Sequence, residues 1–207
     1  MVGKRDSRLA SRSVGSPRQA DKLLEKGKSL LKRRQFGEAA KTLRHAVRET
    51  PENPKVLRAY AEALSRSNHH TQAVEYFERA ETLDPSDGSR QSAYAKSLSM
   101  QASDLGRLGQ YTDALPLYEK ALDLDPINLN TLQNYAMTVQ RLAQDLSHRH
   151  RHQEAITVLS RALEYKPHDH RLQTACANAA VAVGHLELAY DLLDQCLAQQ
   201  GDDFWSD

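Results

Sequence analysis

From about Asp21 onward the apolar residues of this chain recur every three or four positions, in runs separated by short polar breaks, which is the spacing of amphipathic helices and not of strands. Leu57, Tyr60, Ala61 and Leu64 form one such stripe. Ala73, Phe77, Ala80 and Leu83 form the next, and Asp84 with Pro85 stop it, because proline cannot continue a helix. Together they predict two helices joined by a tight turn. The pattern then repeats. Small residues Ala39, Ala73, Ala114, Ala155 and Ala189 stand at steps of 34, 41, 41 and 34, followed 12 residues later by Pro51, Pro85, Pro126, Pro167 and, in the fifth place, Gly201. A third ladder runs upstream through Gly27, Ala61, Ala95, Ala136 and Ala177. At such a period no unit can bury its apolar face alone, so the chain predicts a stacked array whose function sits on a surface, not in a pocket.

The ladders also locate two insertions. The step from the small residue of the first helix to that of the second is 12, 12, 19, 19 and 12 along the five units. Seven extra residues are two helical turns, roughly 10 Å, and shift the apolar register by only about 20°. Ala95, Leu98, Ala102, Leu105 and Leu108 keep one face apolar up to the turn at Gly109, as do Ala136, Val139, Leu142, Ala143 and Leu146 in the fourth unit. These are lengthened first helices. As neighbours, their extra turns are expected to cover each other and raise a ridge along one edge of the array.

Composition narrows the classes of function. Charged residues make up 27% of 207 but cancel to a formal +1, leaving no general attraction for nucleic acid or acidic membranes, so any electrostatic preference is local. Cys176 and Cys196 fall at apolar positions of the last unit and read as free thiols. No apolar run is long enough to cross a bilayer and no secretory signal is apparent, which predicts a cytoplasmic protein. Residues 1–18 carry Lys4, Arg5, Arg8, Arg12 and Arg18 against Asp6, the composition of a disordered basic tail; an organellar transit peptide is the alternative. Residues 202–207 form an acidic aromatic tail with Phe204 and Trp205, suited to folding back over the fifth unit or docking elsewhere.

No phosphate loop, nucleophile motif or converging set of carboxylates occurs, so no enzyme, cofactor or metal is expected. His148, His150 and His152 alternate with Arg149 and Arg151, whose charges repel a cation, and the stretch reads as a solvated basic turn.

Gly109, Tyr111, Ala114, Tyr118, Ala121 and Pro126 form a series of turn glycine, aromatic, small, aromatic, small and proline, and Phe36, Ala39, Leu43, Ala46 and Pro51 match it. This pattern resembles the tetratricopeptide repeat, over roughly residues 20–201. The resemblance implies an all-α fold, a right-handed α-solenoid of five antiparallel helix pairs. The array spans 19–201, with repeats near 20–53, 54–87, 88–128, 129–169 and 170–201. The two long repeats resemble those of kinesin light chains. The last two match less closely, with His152 and Leu186 where an aromatic is usual, and the irregular fifth suits a terminal cap that meets solvent on one side.

In that family the first helices line a concave face that accepts a peptide. Carried onto this chain, the face includes Asp21, Leu24, Glu25, Lys28 and Lys32, then Lys55, Arg58, Glu62 and Arg66. It continues with Lys96, Ser99, Met100, Ser103 and Arg107, through Met137, Gln140, Arg141 and Gln144, to Arg171, Thr174 and Asn178. Nine of these are Lys or Arg and three are Asp or Glu, so a basic groove is expected, with Met100 and Met137 as adaptable apolar contacts. The clamp with which some co-chaperones of the family grip a chaperone tail is missing, since Leu24, Lys28, Glu62, Ser99 and Ser103 occupy its places. The expected function is a non-catalytic adaptor or scaffold that binds an acidic or mixed peptide segment of a partner protein. The alternative is a self-associating component, a homo-oligomer joined through the ridge or the C-terminal tail. Neither membrane nor nucleic acid is an expected partner, the groove lacking base-stacking aromatics.

Overall fold

The computed structural model describes residues 16–86, 88 and 90–203, with side chains described through 198. Among them are ten helices and no strand: α1 (Pro17–Lys32), α2 (Phe36–Glu49), α3 (Pro54–Arg66), α4 (His70–Leu83), α5 (Gln91–Arg107), α6 (Tyr111–Leu124), α7 (Leu129–His148), α8 (His152–Tyr165), α9 (His170–Ala182) and α10 (Leu186–Asp203). The odd-numbered helices are the first of each pair. At 17 and 20 residues, α5 and α7 are the longest of the first helices, as the 19-residue steps between ladders predict.

The turn inside each pair has one design. Arg34, Asn68, Gly109, His150 and Gly184 stand at the spacing of the alanine ladder, and all five adopt the left-handed conformation, with φ of 61°, 62°, 77°, 57° and 81°. The amide after each reaches back to close the finished helix: Gln35 to Leu30 O, His69 to Leu64 O, Gln110 to Leu105 O, Arg151 to Leu146 O and His185 to Ala180 O. Two glycines and an asparagine accept this conformation easily. Arg34 and His150 bear its steric cost.

The link between pairs is set by proline. Thr50, Asp84, Asp125 and Lys166 precede Pro51, Pro85, Pro126 and Pro167, and steric pressure from the ring drives each out of the helical region, to φ between −135° and −151°. Two residues beyond three of these prolines, Asn53, Asn128 and Asp169 cap the next helix by accepting its first free amides. Gly201 does not act as a fifth proline. It keeps its N–H and does not clash, so α10 passes through it to Asp203. At the other end, Pro17 and Arg18, which the sequence assigns to the tail, open α1, where a proline's missing donor costs nothing. Residues 1–15 of the N-terminal tail, Phe204 and Trp205 lie outside the described residues.

Two compact bodies are present, one ending at Ser97 and the other beginning at Leu98, within α5. In the N-terminal body α1 packs on α2 and α3, α3 packs on α2 and α4, and Phe77 stacks on Tyr94 with ring centroids 5.0 Å apart. Gly27 is the one rung of its ladder that is not alanine, because a Cβ there would lie 2.4 Å from the Leu43 side chain. In the C-terminal body α6, α7, α8, α9 and α10 each pack on the next, around a core with Tyr118, Tyr135, Leu159 and Leu172 at its centre. The extra turns of α7 bury Leu142, Ala143 and Leu146 in that core, with Ala102 and Leu105 of α5 packed there too.

His150→Gly relieves the turn's left-handed strain and is expected to stabilise the fold by up to about 1 kcal/mol, while Gly109→Ala, whose Cβ meets nothing within 4 Å, costs about 1 kcal/mol through φ alone. Urea midpoints of the two variants against the parent chain measure both.

Candidate functional site

Of the residues expected to line a groove, Lys32, Lys55, Arg66, Lys96, Met100, Arg107, Met137, Arg141, Arg171 and Asn178 are exposed, and Lys28 and Gln140 are half-buried. Arg58 is not available to a ligand. It is only 2% exposed, donates to the backbone carbonyl of Asp84, and has its guanidinium 3.6 Å from the Asp84 carboxylate, tying α3 to the link after α4. Leu24 and Ser99 are buried as well, Ser99 accepting from the Thr131 hydroxyl of the next first helix at 3.1 Å.

In the N-terminal body, Lys28, Lys32 and Arg66 do converge, around a cleft of about 410 Å³. Leu31, Arg34, Phe36, Glu62 and Arg90 complete its walls. Its charge is lopsided. Glu62 is held by Arg90 at 2.5 Å, and Lys28 is held by Glu25 at 2.7 Å, a contact that with Lys32 nearby keeps the Glu25 carboxyl below its usual range. Lys32, Arg34 and Arg66 make no ion pair among the described residues, and the Arg66 guanidinium sits 6.0 Å from the centre of the Phe36 ring. The cleft thus offers three uncommitted cations beside an aromatic ring, suited to a carboxylate-bearing ligand with an apolar neighbour.

In the C-terminal body, Met137, Gln140 and Arg171 meet at a cleft of about 710 Å³. Leu129, Leu132 and Ala136 of α7 form its apolar side, and Lys166, His168, Asp169 and His170 its polar side. Asp169 is committed to the fold. Burial raises its pKa, but the Lys166 ammonium at 2.6 Å and the amides of Leu172 and Arg171 outweigh that and lower it overall. Lys55 lies apart, beside Glu49 and Glu52 in a cleft of about 610 Å³, and Lys96, Met100, Arg107, Arg141 and Asn178 line none of the three.

Sequence reasoning missed Arg34, Phe36 and Arg90. Arg34 had a signal: it stands at a ladder position where two of five repeats carry glycine. Phe36 was read only as a packing residue, and Arg90 sits just ahead of a first helix, where the repeat pattern assigns nothing.

The histidine triplet is a surface feature. Arg149 pairs with Asp145 at 3.1 Å, Arg151 with Glu154 at 2.6 Å, and the His150 and His152 rings lie edge to face 6.0 Å apart. Among the described residues no group of three His, Cys, Asp or Glu could hold a metal ion. Cys176 and Cys196 are both free and buried, and burial pushes the Cys176 thiol up. No helix among the described residues is long and apolar enough to cross a membrane.

Repeated helical hairpins, with clefts lined by first helices and the turns beside them, define a helical-repeat interaction protein. The tetratricopeptide repeat pattern matches residues 24–88, 93–168 and 146–205, and the chain belongs to that family of generally non-catalytic interaction modules. Similar solved structures include MamA AMB-1 (19% identity, 90% of this chain and 94% of that one, TM-score 0.46) and a MamA protein crystal structure (14%, 92% and 97%, 0.47). A third is the first TPR of Spaghetti (RPAP3) bound to the HSP90 peptide SRMEEVD (24% identity, 63% of this chain and 98% of that one, TM-score 0.44). No curated protein matches the chain.

Arg58→Ala removes the buried side chain that ties α3 to the link after α4 and is expected to destabilise the fold by about 2–3 kcal/mol, whereas Lys55→Ala stays within about 0.5 kcal/mol. Thermal melts of the two variants check the contrast.

Proposed function

We propose that the chain is a non-catalytic adaptor that binds an acidic peptide segment of a partner protein in the basic cleft of its N-terminal body. The observation that carries this reading is the convergence of Lys32, Arg34 and Arg66, none of them in an ion pair among the described residues, on a cleft that Leu31 and Phe36 also line. The cations of the cleft outnumber its carboxylates, and Glu62 is already taken by Arg90, so the arrangement gains free energy when an anion enters. The backbone adds a second support. Arg34 occupies a left-handed position that glycine would hold at lower cost, and strain of this kind is retained where the side chain is used.

The ligand's chemistry follows from the walls. Carboxylates meet the guanidinium forks of Arg34 and Arg66 in bidentate fashion, and an apolar or aromatic residue beside them packs on Phe36. The cleft of the C-terminal body, with Leu129, Leu132 and Met137 facing Lys166 and Arg171, suits a more apolar stretch of the same kind of segment. Flexible Met137 adapts its shape to the side chain it receives.

A labelled twelve-residue peptide with four carboxylates and one phenylalanine tests the proposal by fluorescence anisotropy. It is expected to bind with an affinity that falls steeply as salt rises, and the double variant Lys32→Glu, Arg66→Glu is expected to weaken it at least tenfold with an unchanged circular dichroism spectrum. Equal binding of a peptide with the carboxylates replaced by amides, or full retention by the double variant, sinks it.

A further inference from the structure

The outward face of the last helix pair is unlike a finished end. Residues one, four and eight places beyond the small rung of a second helix face the next repeat, and in the sixth and eighth helices they are Leu115, Tyr118 and Leu122, then Ile156, Leu159 and Leu163, all buried but the half-buried Leu163. In α10 the same places hold Tyr190, Leu193 and Leu197, exposed at 71%, 42% and 67%. Leu186, ahead of them, is 64% exposed. The first helix tells the same story. Ser65 and Ser99, four places beyond their rungs, are buried and bond to the following first helix through Ala93 O and the Thr131 hydroxyl, whereas Val181 at that place in α9 is 53% exposed. A terminal cap should carry polar residues here. This one carries the apolar socket of an internal repeat, exposed.

We infer that this face docks an amphipathic helix of another polypeptide, one with an apolar stripe flanked by Lys and Arg. The spacing of Leu186, Tyr190, Leu193 and Leu197 is four, three and four, a helix-on-helix seam about 16 Å long. Charge selects the flanks. From Leu186 to Ala198 α10 carries Glu187, Asp191 and Asp194 and no Lys or Arg. The preference is thus opposite in sign to that of the basic cleft, and the two sites are separable.

The same charges argue against a second copy of the chain. Two α10 helices face to face would set Glu187 and Asp194 of one against those of the other. Stacking α10 on a second copy's α1 fails differently: where Tyr60, Tyr94 and Tyr135 bury an aromatic ring, α1 has Lys26, and Lys22 and Glu25 are exposed beside it. That N-terminal end is finished with charge.

The test uses the full chain and an 18-residue helical peptide with Leu at the a and d positions and Lys at e and g, beside a version with Glu at e and g. Backbone amide shifts are expected to move between Val181 and Leu197, with the Lys peptide binding at least tenfold tighter than the Glu peptide. Leu193→Lys, an exposed substitution whose fold is checked by circular dichroism, is expected to remove that binding and leave the acidic peptide's binding at the basic cleft unchanged. Equal binding of the two peptides, or shifts elsewhere than on α9 and α10, overturns the inference. So does a dimer in sedimentation velocity that Leu193→Lys abolishes, which gives the face to a second copy.

Discussion

Everything else in this chain depends on one contact, the burial of each second helix's apolar stripe under the first helix of the next repeat. The contact has a repeated chemistry. Its centre is a large ring or aliphatic side chain, Phe77 against Tyr94 or Tyr118 against Tyr135, with centroids 5.0 and 6.2 Å apart. Burying a tyrosine is favourable only if its hydroxyl is satisfied, and the repeat supplies the partner 16 residues earlier: Tyr94 donates to Glu78 and Tyr135 to Glu119, the latter at 3.0 Å. Burial first, and then the Glu119 charge, hold the Tyr135 phenol far above its ordinary value, so it stays a donor. Arg161 at 2.6 Å from Glu119 balances that charge in turn.

Because this contact fixes the spacing of the repeats, the side chains on the connections between helices are free to differ, and the candidate sites combine them with first-helix residues. A left-handed residue must follow each first helix, but the backbone does not dictate its side chain. The first repeat spends that position on Arg34, between the end of α1 and the Phe36 that opens α2, and so places a cation on the lip of the cleft. The third and fifth repeats spend it on glycine. The same logic explains the two ends. Lys22, Glu25 and Lys26 make the outer face of α1 soluble, while α10 keeps the apolar face of an internal repeat.

The ladders made the helices, their pairing and the lengthening of α5 and α7 legible in the sequence, since all three follow from spacing. Arg58 shows where spacing stops. Its position on the inner face was readable, but its burial depends on Asp84 returning to it from 26 residues away. Gly201 stands at a proline's place and was read as a stop, yet only proline's ring enforces one. The cleft of Lys32, Arg34 and Arg66 was half legible, because two of these lie on first-helix faces and the third on a turn whose conformation no hydrophobic pattern reveals. The open face of α10 was hidden by its own regularity: an apolar stripe in a last repeat looks the same as one in the middle.

If stacking on a following repeat is what stabilises each pair, the fifth, with its socket open, is the least stable. Native-state hydrogen exchange measures this helix by helix. The amides of α7 and α8 are expected to open only near the global unfolding free energy, while those of α10 open at several kcal/mol less. Equal protection of α10 and α8 would contradict the account, since the fifth pair would then be stable without the contact on which the others rest.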